Sequence, residues 1–241
     1  GDGDVTIGSD SAEHISNRFV VAGIGKTSAG GSNWQSDVTL LNAGSDPADV
    51  TLTFVPQGSS DRPTATVHIN PRENKVLADV VATTFGMQSA IGALDVDTAS
   101  PASLLVEGRT FNNRSDGTVG QALPAFTPAD AATANGRTLQ ILNIEESERY
   151  RSNLGLAEVT GHPVTVEITG YAADTLASPV ITLSLGSNEF VQMSRILTQL
   201  GFGRTYNGRI SVSVVDGAGA VAAYISSVDN QTDDPTYIPA Q

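Results

Sequence analysis

The chain has 241 residues, 39% apolar and only 16% charged, with 26 acidic against 13 basic side chains and a formal net charge of −13. A surface of that sign repels phosphate, which sets aside nucleic acid and anionic membranes as partners. Cysteine is absent, so disulfides and thiolate chemistry play no part, and no run of about 18 apolar residues is present to span a bilayer as a helix.

The chain opens at Gly1 without Met, in a polar stretch of Gly, Asp and Ser. That is the expectation for a processed, exported protein. Within residues 1–18 only Val5-Thr6-Ile7 has strand character. A terminus of this composition stays disordered unless tied down, and adding Val5, Thr6 and Ile7 as a donor strand to a sheet edge would tie it down. Gly23-Ile24-Gly25-Lys26-Thr27 has the end of a phosphate loop, but Val20 stands where the leading Gly belongs and a Gly/Ser loop follows the Thr. It reads as a strand running into a loop.

Next come Val38 to Leu41 and Val50 to Phe54, β-rich runs separated by the turn cluster Asn42 to Pro47. Ala65 to Ile69 alternates with period two. Leu77, Val80, Val81 and Phe85 then fall at helical spacing and stop at Gly86, which predicts one short helix with Gly as its closing residue. Strands over Leu94 to Val96 and Ser103 to Phe111 follow, and Leu123-Pro124-Ala125 closes the series.

The same series then recurs. Laying Ser36 over Ser152 and keeping that offset puts Pro47 on Pro163, Leu52 on Ile168, Glu73 on Glu189 and Leu77 on Met193. After a small indel Gly86 meets Gly201, Asn113 meets Asn230 and Leu123-Pro124-Ala125 meets Ile238-Pro239-Ala240. The second predicted helix carries Phe190, Met193, Ile196, Leu197 and Leu200. Two copies of one all-β unit are therefore expected. An N-terminal extension covers 1–18, repeat 1 covers 19–126, a Pro/Ala/Asp linker 127–136, and repeat 2 137–241. Seven or so short strands in about 100 residues per copy suggest an immunoglobulin-like β-sandwich. The expected fold class is thus all-β, two such domains in tandem, each with one short helix between strands.

The stretches Trp34 to Asn42 and Val228 to Ala240 resemble tandem β-sandwich modules of secreted bacterial proteins. The resemblance spans roughly residues 19 to 241. It implies an extracellular setting and non-catalytic modules, and supplies no functional residues.

No Gly-x-Ser-x-Gly elbow occurs, and His14, His68 and His162 are scattered over a terminus, a strand and a turn, so nucleophilic catalysis and zinc have no constellation to use. Acidic pairs such as Asp95/Asp97, Glu145/Glu146 and Asp233/Asp234 are what an acidic surface yields freely. No cofactor is expected beyond calcium, whose candidate ligands are Asp116, Asp229, Asp233 and Asp234 in two matching loops of hard oxygen donors. Trp34 and Tyr206 are the candidate sugar-stacking aromatics. Across the copies Trp34 faces Tyr150, Asp37 faces Asn153 and Asp79 faces Arg195. A duplicated active site would repeat its polar residues, whereas these copies repeat apolar ones. The expectation is an extracellular or cell-surface structural protein, not an enzyme, that partners itself in a filament or surface layer. The alternative is a monomeric adhesion module binding carbohydrate or protein.

Overall fold

Period-two alternation with buried Val, Leu and Ile on one face forces each segment to pair edge to edge and to cover that face. The computed structural model describes residues 18–29, 32–100, 103–172 and 177–241, and within them the regular structure is almost all antiparallel strand. Val5, Thr6 and Ile7 lie outside the described residues.

The first half contains β1 (Arg18–Ala29), β2 (Ser32–Asn42), β3 (Ala48–Pro56), β4 (Thr64–Ile69), β5 (Asn74–Leu77), the single helical turn α1 (Val80–Thr83), β6 (Ala90–Thr98), β7 (Leu104–Arg114) and β8 (Gly117–Phe126). The second repeats the order with β9 (Leu139–Glu146), β10 (Tyr150–Glu158), β11 (Val164–Ala172), β12 (Val180–Leu185), β13 (Phe190–Met193), α2 (Ile196–Gln199), β14 (Thr205–Gly217), β15 (Val221–Asp229) and β16 (Pro235–Pro239). In the second half two four-stranded sheets run β12-β11-β14-β9 and β13-β10-β15-β16. The first half has the same two orders, joined into one eight-stranded sheet where β1 pairs with β8 through Val20 with Phe126 and Val21 with Ala125. At the matching seam Gln140 and Gln241 exchange backbone hydrogen bonds of 2.8 and 2.9 Å.

Register follows the repeat residue for residue. Val38 stands opposite Leu77 and Gly108, and Leu154 opposite Met193 and Ile225. Phe54 opposes Leu94 as Gly170 opposes Ile210. One core cluster is drawn from the first half, centred on Ile24, Leu40, Leu52, Phe54 and Leu94. The second is drawn from Leu139, Ile144, Leu156, Ile168, Ile210 and Ile225. No helix among the described residues is long and apolar enough to cross a membrane.

The helices are shorter than the apolar spacing predicts. Leu77, Phe190 and Met193 belong to the strands β5 and β13, so the helical pattern borrows strand residues: Leu77 and Met193 pack on the cores that the helical turns enter, and Phe190 turns into the cluster between the halves. Of the two predicted helical stretches Val80–Thr83 and Ile196–Gln199 coil, each entered through a left-handed residue, Asp79 (φ 46°) or Arg195 (φ 51°). The side chain of Asp37 accepts the Asp79 amide at 2.8 Å, and Asn153 accepts that of Arg195 at 3.3 Å. The Pro/Ala/Asp segment between the halves is also ordered. Asp130 Oδ2 accepts from both the amide and the hydroxyl of Thr127 at 2.8 Å, and Ala132, fully buried, bridges to Val221.

Each helical turn ends at a glycine with positive φ, Gly86 (71°) or Gly201 (86°), and a Cβ at either would meet open space. The cost of a side chain there is therefore backbone strain alone. Gly86→Ala and Gly201→Ala should each destabilise the protein by about 1–2 kcal/mol, and by similar amounts, in denaturant unfolding. A large loss confined to one of them would mean that the two turns are not equivalent.

Candidate functional site

Most outward-facing residues of these sheets are polar, but β15 is apolar on both faces. Val221, Ala223 and Ile225 enter the core of the second half, while Ala222 and Tyr224 pack with Val20, Ala22, Ala93 and Phe126 of the first half in a third cluster between them. Tyr224 is fully enclosed and its ring stacks on Tyr237 with centroids 5.0 Å apart. Two glycines make room for it. A Cβ at Gly155 would lie 2.1 Å from the Tyr224 ring, and one at Gly23, in a bulge of β1 with φ 87°, would lie 2.4 Å from its hydroxyl. Burial pushes the Tyr224 phenol pKa far above its ordinary value, which keeps it neutral.

Polar contacts ring this apolar centre. The Gln57 side chain reads the backbone of the edge strand β13 as another strand would: Gln192 N donates to its Oε1 (2.9 Å) and its Nε2 donates to Gln192 O (3.4 Å). Ser226 Oγ donates to Gln121 Oε1 at 3.2 Å. Arg18 reaches Asp95 at 2.7 Å. Burial raises the Asp95 carboxyl to about 6, with Arg18 opposing the shift and Asp97 and Glu158 adding to it. Glu158 behaves oppositely. Burial raises it, but hydrogen bonds from the Thr160 hydroxyl and from the amides of Asn188, Thr160 and Gly161 outweigh burial and hold it below the usual range.

Beside the Tyr224 cluster the halves leave an open cleft of about 480 Å³. Lys26, Trp34 and Gln121 line it from one side, and Arg151, Asn153 and Tyr224 from the other. Both cations are held in place. Lys26 pairs with Asp79 at 2.5 Å, and Arg151 donates to Asn230 (2.9 Å) and Asp233 (3.1 Å). Lys26, in the phosphate-loop look-alike, thus serves as a strand residue with an ion-pair partner.

The structure separates the residues that the sequence singled out. Trp34 lines the cleft, whereas Tyr206 stands 63% exposed beside Arg204 and contributes nothing to it. Asp116 occupies the two-residue turn between β7 and β8. Asp229 ends β15 and Asp233 and Asp234 lie in the loop after it, where the carboxylates of Asp229 and Asp233 are engaged in holding the chain. Asp229 accepts from the amides of Gln231 (2.7 Å) and Thr232 (3.3 Å) and from Arg149 (3.3 Å), and these bonds lower its pKa. Asp233 accepts from Arg151 and from Ser32. Among the described residues no three His, Asp or Glu side chains group as a metal-holding set. Tyr224, Gly155 and Arg151 were missed by sequence reasoning. One signal was present: in Val221-Ala222-Ala223-Tyr224-Ile225 both alternating sets are apolar, the mark of a strand buried on two faces.

No family model matches the chain, and no curated protein matches it. Among solved structures, a Thermotoga maritima protein designated 1070 is similar over 46% of this chain and 93% of its own, at 12% identity and a TM-score of 0.38. A calcium-binding mutant of Bacteroides uniformis β-glucuronidase 2 aligns over 90% of this chain and 26% of its own, at 11% identity and a TM-score of 0.16.

The raised Asp95 carboxyl carries a sign. Its folded pKa lies above the unfolded 3.8, so its stabilising contribution is complete below 3.8 and is lost as pH rises through about 6. Wild-type stability measured relative to Asp95→Asn should fall by about 2 kcal/mol from about pH 4 to about pH 7. Chemical denaturation across that range checks it, and a flat or rising difference would contradict the assignment.

Proposed function

We propose that the chain is a non-catalytic, extracellular structural protein of two tandem immunoglobulin-like β-sandwich modules that self-associates into a filament or surface layer. The observation that carries this reading is where the buried carboxylates go. Glu146 accepts the Leu197 and Thr198 amides at 2.8 and 3.1 Å, Glu158 gathers a loop, and Asp95 holds Arg18. A catalytic carboxylate needs an open approach to a reacting atom, whereas these fasten loops, a helical turn and neighbouring strands within each half.

Self-association by strand addition has edges to use. β4 and β12 each end a sheet, and Val180 on β12 is half-exposed. Unpaired ladder groups of that kind accept an extended segment such as Val5-Thr6-Ile7. Deleting residues 1–12 and comparing assemblies by electron microscopy and light scattering tests it. The expected result is ordered assemblies from the intact chain and their loss on deletion. Unchanged assemblies would remove strand addition, and a strictly monomeric intact chain would remove self-association.

The cleft favours a second reading, a binding module for carbohydrate. An indole, a guanidinium, an amide and hydroxyls facing one open space suit a hydroxyl-rich ligand. In this reading Trp34→Ala abolishes binding on a glycan array while Tyr206→Ala leaves it intact. Equal loss from both variants, or no binding by the intact chain, would discard the cleft as a sugar site.

A further inference from the structure

The two halves show which of their faces fit together. The second half presents the outer face of β10 and β15, and the first half receives it on the outer face of β1 and β6. Because the halves share one register, each face has a counterpart on the other half. Gly108 matches Ile225 opposite Val38 and Leu154, so Leu105 occupies the place of Ala222, and Glu107 that of Tyr224. Leu94 matches Ile210 opposite Val21 and Ile141, so Leu142 stands in the place of Ala22, and Arg209 in that of Ala93.

These counterparts are open. Leu105 is 61% exposed where Ala222 is 1%, and Leu142 is 50% exposed where Ala22 is 2%. Leu105 lies directly opposite Leu41 on the neighbouring strand, and the exposed Val76 lies opposite Thr39, so the first face carries a small apolar patch. The charges at the two faces are complementary. Glu107 has no hydrogen-bond or ion-pair partner among the described residues. Arg209 donates to Gln140 at 2.6 Å and lies 3.7 Å over the Tyr171 ring, with no carboxylate partner among them.

We propose that copies of this chain associate head to tail, the β2–β7 outer face of one copy docking on the β9–β14 outer face of the next in the arrangement its own two halves use. Leu105 and Leu41 then cover Leu142, and Glu107 comes within reach of Arg209. The contact is heterologous: it uses two different faces and leaves one of each free at the ends, so it propagates. This rests on the self-association reading but replaces strand addition as the contact, and it needs no residue before Arg18.

The test exploits that asymmetry. Leu105→Arg blocks one face and Leu142→Arg the other, and both positions are exposed, so folding is checked by thermal melting. Each variant alone should be monomeric by size exclusion with light scattering. Mixing the two should give a dimer and nothing larger, because one good face remains on each. Independently, Glu107→Arg and Arg209→Glu should each raise the concentration at half-assembly about tenfold or more, and the double swap should restore it. Assemblies that persist in both arginine variants, or a mixture that stays monomeric, would overturn the face pair. If the deletion of residues 1–12 disassembles such variants, self-association stands and strand addition is its contact. An intact chain that is monomeric at all concentrations removes both.

Discussion

The burial of Tyr224 on the outer face of β15 is the constraint on which the arrangement of the two halves depends. A strand that carries Ile225 into one core and Tyr224 into a second interface cannot face solvent, so the second half must dock. The ring fits because Gly155 beneath it and Gly23 across from it carry no side chains. A buried aromatic of this size contributes on the order of 2–3 kcal/mol by area alone. Around it lie the polar fastenings that set register between the halves, Gln57 on Gln192 and Ser226 on Gln121. The cleft with Trp34 and Arg151 is what the same docking leaves unfilled.

The correspondence between the halves extends to polar contacts as well as apolar core. Ser36 pins the neighbouring strand at Gly25, and Ser152 pins it at Glu145. Glu73 accepts the Asn70 amide, and Glu189 the Gly186 amide, at the same turn. Asn42 and Glu158 occupy one position and both collect loop groups, the amide side chain mainly by donating and the carboxylate by accepting. Identity changed where the job could be done by another group. At the entry to the helical turn the pair Lys26 and Asp79 of the first half is replaced by Glu146 and Arg195, with Glu146 taking up the helix amides directly. Such substitutions keep the backbone donors satisfied, which is the condition for burying them.

Where the halves differ most is on their outer faces. Glycine and alanine line the docked face of the second half, and Thr39, Leu41 and Leu105 hold those places in the first. Small residues allow two sheets to approach around one large ring, while larger ones present a surface for a partner that brings its own shape. The acidic surface as a whole acts against unspecific association, so contacts between copies must supply local complementarity.

The repeat, the strand positions and the closing glycines were legible in the chain itself, because alternation, turn residues and positive-φ glycines are local properties. The helices were overestimated because Leu77 and Met193 reach the same cores from a strand while Phe190 is buried on the opposite face, and apolar spacing over so short a stretch does not distinguish the two geometries. The segment 127–136 read as a linker by composition, yet its Ala131 and Ala132 are buried. The role of Tyr224 had a signal in the doubly apolar β15, though not its partners. Trp34 in the cleft and Tyr206 outside it were indistinguishable along the sequence. Sequence by itself determined which residues form strands and which face of each strand is apolar. Only the tertiary structure decided which outer faces meet and which stay open, because that depends on side-chain volumes brought together from more than a hundred residues apart.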